Sequence, residues 1–208
     1  MVSDTKERIL KTALELFAQK GYLGTSMSDI AEKLGITKGA LYKHYTGKQE
    51  ILNRIIEKMN EMDAERAKLY NMPDGRSHDY AEAYNHTSVE KIRAYSVAQF
   101  IHWTEDEFSS CFRKMLMIEQ HRDPDLARLY QNYLAIGPVD YITLIFKEMT
   151  DSDEESKQLA LDFYGPMYLL YSVYDGSDSK ETVVKMLEDH IDRFIDRMQS
   201  ERGKAASE

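Results

Sequence analysis

The sequence predicts an all-α fold, with three short helices at the N-terminus ahead of a longer helical domain. Apolar residues recur three and four apart along nearly the whole chain, the spacing of one helix face. No run alternates apolar and polar residues as a half-buried strand does, and no hairpin signal joins two such runs. The 4 prolines and 10 glycines fall mostly where these helical runs stop, so they act as punctuation.

The elements follow in order. A first helix is expected from about Thr5 to Lys20, capped by Asp4 with Glu7 three residues on, and carrying the stripe Ile9, Leu10, Ala13, Leu14 and Phe17. Gly21 ends it, where a left-handed residue is wanted. A second helix, from about Met27 to Leu34, is capped by Ser26, buries Ile30, Ala31 and Leu34, and stops at Gly35. A third begins after Thr37 and carries Ala40, Leu41 and Tyr42. Thr46 and Gln49 form a capping box for a long fourth helix with Ile51, Leu52, Ile55, Ile56, Met59 and Met62 inward. The turn-rich stretch 71–77 marks a boundary, which divides the chain into residues 1–64 and 65–208.

Beyond that boundary, Thr87 with Glu90 and Thr104 with Glu107 each read as a capping pair. Residues 121–125, containing Pro124, form a turn. A long helix from about Leu126 to Met149 contains Gly137 and Pro138, which should kink it. An acidic turn at 151–155 precedes two last helices, from about Ser156 to Tyr174 and from Lys180 to Gln199.

Composition excludes several classes. No apolar run approaches the roughly 20 residues of a bilayer span. Residues 1–10 are too polar for a secretory signal, so a cytoplasmic protein is expected. The single cysteine, Cys111, cannot form an internal disulfide, and its neighbours Phe108, Phe112 and Met115 read as packing. No nucleophile or acid/base constellation appears, so no catalytic residue, metal or cofactor is assigned. Gly47-Lys48 lacks the remaining residues of a P-loop, and His121-Arg122-Asp123 lacks those of a kinase loop. Glu119, His121, Asp123 and Asp125 read as a solvated turn before a metal site.

The net charge of −9 argues at first against a nucleic-acid partner. Its distribution reverses that argument. Residues 1–48 hold eight Lys/Arg against five Asp/Glu, a balance of +3, and residues 49–208 hold 19 against 31, a balance of −12. Phosphate binding depends on the local field, so an acidic body does not forbid a basic reading head.

Within that head, residues 26–48 place two short helices around Gly35-Ile36-Thr37, the layout of a helix-turn-helix. The second helix of such a unit enters the major groove and needs donors and slim residues at its start. Thr37 offers a hydroxyl, Lys38 a long cation, and Gly39 a helix start with no side chain. Tyr42, Lys43 and His44 can donate to phosphates or base edges, and Lys48 adds charge at the start of the fourth helix. Thr25 and Ser26 are caps first and phosphate ligands second.

The stretch from Thr25 to Ala31, then Leu34 to Tyr42, His44-Tyr45 and Lys48 to Leu52 resembles the DNA-binding domain of the TetR family. Ala13 to Phe17 and Lys20 to Tyr22 match it too, so the resemblance covers about residues 5–60. Tyr45 stands where the family often has phenylalanine, and Gly47 where many relatives carry a larger polar residue. The resemblance implies a homodimer on double-stranded operator DNA, acting as a repressor and released by a small-molecule effector. It also implies that the helical second domain holds both the effector and the partner subunit. No membrane partner is expected.

The residues of the second domain support part of this. The helix from 156 to 174 is apolar nearly all round, and the last helix repeats Val184, Leu187, Ile191, Phe194 and Met198 at spacings of three and four. Phe163, Met167 and Leu170 with Val184, Leu187, Ile191 and Phe194 are therefore the expected dimer interface, unless both helices simply close an intrachain core. The many aromatic residues suit a flat or hydrophobic effector, with Trp103, Phe112 and Tyr133 as candidate ligand-binding residues, although such a stripe is more often core. Two rivals remain open: an enzyme on a helical bundle, and a helix-turn-helix used for protein contacts alone.

Overall fold

The computed structural model describes residues 2–72, 89–150 and 152–205, and all regular structure among them is helical. The helices are α1 (Val2–Lys20), α2 (Met27–Leu34), α3 (Lys38–Tyr42), α4 (Lys48–Leu69), α5 (Val89–Glu105), α6 (Glu107–Glu119), α7 (Pro124–Leu134), α8 (Ile136–Phe146), α9 (Asp153–Gly176) and α10 (Lys180–Ala205). A short 3₁₀ turn, Lys147–Met149, follows α8. The expected Thr87 cap and most of the 71–77 boundary lie outside the described residues.

The chain packs as two compact units. The first joins residues 1–65 to 105–131, and the second joins 66–104 to 132–208. The division expected near residue 64 is thus only the first of three crossings. The chain leaves the N-terminal unit, returns to it with α6, and leaves again along α7.

In the first unit, α1 packs on α6 and on α2. Its core joins Ile9, Ala13, Leu14 and Phe17 of α1 to Ile30, Leu41, Ile51 and Ile55, with Phe112, Met115 and Leu116 from α6. Phe112 is fully buried here. Phe17 and Tyr22 meet edge to face with ring centres 5.2 Å apart.

In the second unit, α8 and α10 both pack on α9. Phe146, Phe163 and Phe194 form its aromatic centre, with ring centres 5.0–5.8 Å apart. Phe163, Met167, Leu170, Leu187, Ile191 and Phe194, six of the seven residues expected between subunits, are buried within one chain. They are core, since a covered side chain offers a partner no surface. Only Val184 is part-exposed.

Local signals account for most helix ends, with four corrections. Asp4 lies inside α1, not at its cap. Glu50, not Gln49, answers Thr46: its carboxylate accepts from the Thr46 amide at 2.6 Å and hydroxyl at 2.8 Å, while the Gln49 side chain bonds Tyr22 and Asn53. Asp106 caps α6 by accepting from the Ser109 amide, and the Thr104 hydroxyl instead donates back to the Phe100 carbonyl within α5. The long helix expected over 126–149 breaks at Ala135. A Cβ on Gly137 would stand 2.0 Å from the Asn132 carbonyl oxygen, so the sharp joint between α7 and α8 requires glycine there. The Tyr164 hydroxyl donates to the Leu134 carbonyl at 2.9 Å, satisfying an acceptor freed at that joint.

Candidate nucleic-acid interface

The helix-turn-helix is built by local chemistry. Ser26 accepts from the Asp29 amide while Asp29 accepts from the Ser26 amide at 2.7 Å, a complete capping box at the start of α2. The bonds from Ser26 hold the Asp29 carboxyl below the usual aspartate range. Gly35 closes α2 in the left-handed conformation (φ 67°) and sends its amide back to Glu32 at 3.0 Å. Thr37 then caps α3 by accepting from the Ala40 amide at 3.1 Å.

This geometry sorts the faces of α3. Leu41 is fully buried and Tyr45 nearly so, fixing α3 and the chain after it to the core. Thr37, Lys38, Gly39, Tyr42 and Lys43 are exposed and His44 half-exposed. The Lys38 ammonium lies 6.0 Å from the centre of the Tyr42 ring, one turn along the same face. A Cβ on Gly39 would meet nothing within 4 Å. Nothing inside the chain therefore explains a glycine at that helical position, where it costs about 0.5–1 kcal/mol against alanine.

Two of the expected ligands are spent inside the protein. The Thr25 hydroxyl is buried and donates to the Gly21 carbonyl at 2.9 Å. The Lys48 ammonium donates to the Tyr22 carbonyl at 2.6 Å and the Thr25 carbonyl at 2.7 Å, and lies 4.3 Å from the Tyr22 ring centre. Burial lowers its pKa, with Glu119 and Asp29 pulling the other way. Ser26 remains exposed, although its hydroxyl also donates to Asp29 at 2.5 Å.

In the second unit, Trp103 is buried and Tyr133 half-buried, meeting edge to face at 6.1 Å. Phe112 is fully buried in the first unit's core. The tyrosines Tyr70, Tyr95 and Tyr141 form an adjacent ring series, with centres 5.9 Å and 6.4 Å apart. The Gln99 side-chain amide donates to the Tyr95 hydroxyl at 2.9 Å, and its Oε1 is buried without a hydrogen-bond partner. A separate apolar cavity of about 40 Å³, lined by Phe146, Met149, Phe163 and Phe194 among others, is far below the roughly 300 Å³ of a drug-sized site.

The outward face of α9 is apolar too, and the expected interface did not include it. Leu161, Tyr168, Leu169 and Val173 are exposed along it, with Leu169 at 62%, and Met186 is exposed on α10. Their spacing of seven, one and four residues is a second helical stripe beside the buried one, a signal visible in the sequence. A groove of about 570 Å³ runs along α10, lined by Met186, Asp189, His190, Arg193, Phe194 and Arg197. His190 Nε2 lies 2.9 Å from the Phe163 carbonyl, which can only accept, so that nitrogen carries the proton.

Residues 9–55 match the model for bacterial regulatory proteins of the tetR family. The chain is 42% identical over 52 residues to IcaR, the negative transcriptional regulator of the icaADBC biofilm operon in Staphylococcus epidermidis, covering 25% of this chain and 28% of IcaR. Across the first relatives of this kind, the match spans only 18–40% of their length. Whole-chain likeness comes from structures. A TetR-family transcriptional regulator from Marinobacter aquaeolei superposes with a TM-score of 0.61 at 18% identity, covering 96% of this chain and 98% of that one. The SmeT–triclosan complex superposes with a TM-score of 0.60 at 19% identity, covering 93% and 91%. At such identities the likeness concerns the fold. The relatives matched in sequence are transcriptional regulators. No helix among the described residues is long and apolar enough to cross a membrane.

Proposed function

We propose, on the premise that this chain belongs to the tetR family of bacterial regulatory proteins, that it is a dimeric repressor released from a palindromic operator by a small-molecule effector. The observation that carries the reading is α3. Its inner residue Leu41 is fully buried, while Lys38, Gly39, Tyr42 and Lys43 face outward from a locally positive unit. Lys38, Lys43 and the Thr37 hydroxyl reach phosphates. Tyr42 and His44 reach phosphates or base edges. The bare Gly39 lets the helix start approach the duplex. Ser26 contributes at the start of α2. Thr25 and Lys48 support the site from within and make no DNA contact of their own.

Two copies join through the exposed stripe of α9 and the neighbouring face of α10, a four-helix contact related by a two-fold axis. Leu161, Tyr168, Leu169, Val173 and Met186 supply its apolar area in place of the buried residues first expected. Two such heads would read half-sites about 34–36 Å apart on one face of the duplex.

The effector belongs to the second unit, beside Tyr70, Tyr95, Gln99, Tyr141, Trp103 and Tyr133. A flat molecule would stack on these rings and give the buried Gln99 Oε1 the donor it lacks. SmeT, a protein of the same fold, is known in complex with triclosan, which favours an aromatic effector here. Release follows if the effector prefers the state in which the heads do not fit the operator.

The test is selection of duplexes from a random pool by the full-length protein. Recovery of an inverted repeat bound by a dimer is the expected result. Recovery of no preferred sequence, with no retained duplex at low salt, would overturn the reading.

A further inference from the structure

The loop between α1 and α2 is held from three sides. Its own helix ties it through the Gly21 amide, which donates to the Phe17 carbonyl at 2.9 Å, and through the Thr25 hydroxyl, which reaches the Leu16 carbonyl at 3.4 Å. From α4, Lys48 grips the Tyr22 and Thr25 carbonyls, and Gln49 accepts from the Tyr22 hydroxyl at 3.0 Å. From α6, 96 residues further along the chain, Glu119 Oε1 accepts from the Leu23 amide at 3.1 Å.

Glu119 is an expensive choice for that task. It is fully buried, and its Oε2 has no hydrogen-bond partner. The Lys48 ammonium faces this carboxylate and offsets part of its charge, but the unsatisfied Oε2 still carries a cost that an apolar residue of similar size does not. The fold also makes room for it. Gly21 sits in the left-handed region (φ 82°), and a Cβ there would come within 2.3 Å of Glu119 Oε1. The position of Glu119 supplies a reason for the arrangement. It is the last residue of α6, and α6 enters the first unit from a stretch of the second and returns to the second through α7. The loop it grips leads directly into the Ser26 cap of α2.

We propose that Glu119 is a positioning residue for DNA reading: it clamps the loop that sets the start of α2, so that the pose of α2 and α3 follows the position of the C-terminal end of α6. The role rests on the DNA-reading function above. A displacement of α6 draws on the clamp, the clamp moves the loop, and the loop carries the start of α2. The single N–H bond makes the clamp easy to release, which a three-bond carboxylate would not be.

The test uses the full-length protein as wild type, Glu119→Gln and Glu119→Met. Binding is measured to a duplex selected by the wild type and to a mixed-sequence duplex, over a range of salt. Thermal unfolding and hydrogen exchange of the Leu23 amide are followed in parallel. Glu119→Met should unfold close to the wild-type temperature, the removed desolvation penalty offsetting the lost charge opposite Lys48. It should lose exchange protection at Leu23, and weaken binding to the selected duplex by about 10-fold or more, the scale of one charge-assisted hydrogen bond. Its affinity for the mixed-sequence duplex and its salt slope should stay close to wild type, because no phosphate contact is removed. Glu119→Gln keeps the acceptor and should retain most of the selectivity. A Met variant that binds both duplexes as the wild type does overturns the proposal. So does one that loses stability and affinity for both duplexes together, since that marks a purely structural residue. A wild type that selects no duplex overturns the DNA reading itself, and that result is seen before any variant is made.

Discussion

Helices α3 and α9 each turn a face to solvent, and the two faces are chemically opposite. The outer side of α3 carries a hydroxyl, two ammonium groups, a phenol and a bare glycine over a fully buried Leu41. The outer side of α9 carries Leu161, Tyr168, Leu169 and Val173 over an equally buried Phe163 and Met167. The first is fit to exchange water for phosphate. The second loses free energy as long as it stays wet, at about 25 cal/mol for each Å² of apolar surface left exposed. What the pair teaches is that one chain carries two exposed surfaces of opposite chemistry, so the occupants proposed for them differ in kind, a polyanion for α3 and an apolar protein face for α9.

The contrast breaks most visibly at α9. Leu169→Glu places a charge in the proposed subunit contact, and sedimentation should then show a 24.2 kDa monomer. Operator affinity should fall by about 100-fold or more as the second head stops contributing. Phe163→Ala, one face away, should instead cost about 3–5 kcal/mol of stability in urea titration, because it empties a buried ring site. Below its unfolding midpoint it should still sediment as a dimer. If Leu169→Glu remains dimeric, the outward stripe is not the contact.

A smaller effect sharpens the α3 side. Gly39→Ala meets nothing in the free protein, so its thermal stability should hold or rise by about 0.5–1 kcal/mol. Its operator affinity should fall, since the added methyl meets only the duplex. Equal affinity for glycine and alanine would leave the close-approach argument without support.

The smallest effect is electrostatic. The Asp29 carboxyl titrates below its ordinary value of 3.8 because Ser26 donates to it. Its contribution to stability is therefore full above that ordinary value and is lost as pH falls through the lower, folded-state pKa. Asp29→Ala should flatten that acid limb of the unfolding curve and leave neutral-pH salt dependence of DNA binding unchanged. A wild type and variant with superimposable acid limbs would show that the capping box does not titrate.

The readable parts of the sequence were those where one helix face is apolar and the other polar. Ser26, Gly35 and Thr37 sit at the ends of short amphipathic helices, so cap chemistry alone placed α2 and α3. Leu41 and Tyr42 then separate into core and surface by one-residue rotation. On α9 the same reasoning fails, because both faces are apolar and periodicity cannot say which one the chain itself covers. The inward bonds of Lys48 and Thr25 are hidden in the sequence for a different reason: a cation and a hydroxyl near a helix start look identical in sequence whether they point at solvent or at carbonyls brought in from a preceding loop. The return of α6 to the first unit, with Glu119 against Leu23, depends on a contact across 96 residues that no local pattern encodes. The break at Ala135 was foreshadowed by Gly137 and Pro138, but its depth was set by the approach of the Asn132 carbonyl.

Two lysines ten residues apart carry the most direct test. The dependence of duplex affinity on salt should be measured for wild type, Lys38→Ala and Lys48→Met. Lys38→Ala should lower affinity and reduce the slope of log affinity against log salt by about 0.9, one released counterion, with stability unchanged. Lys48→Met should lose about 1.5–3 kcal/mol of stability for the two carbonyl bonds it abandons and keep the wild-type slope. A Lys38→Ala slope equal to wild type, or a slope that drops for Lys48→Met instead, would contradict the assignment of the outward face of α3 as the surface that meets DNA.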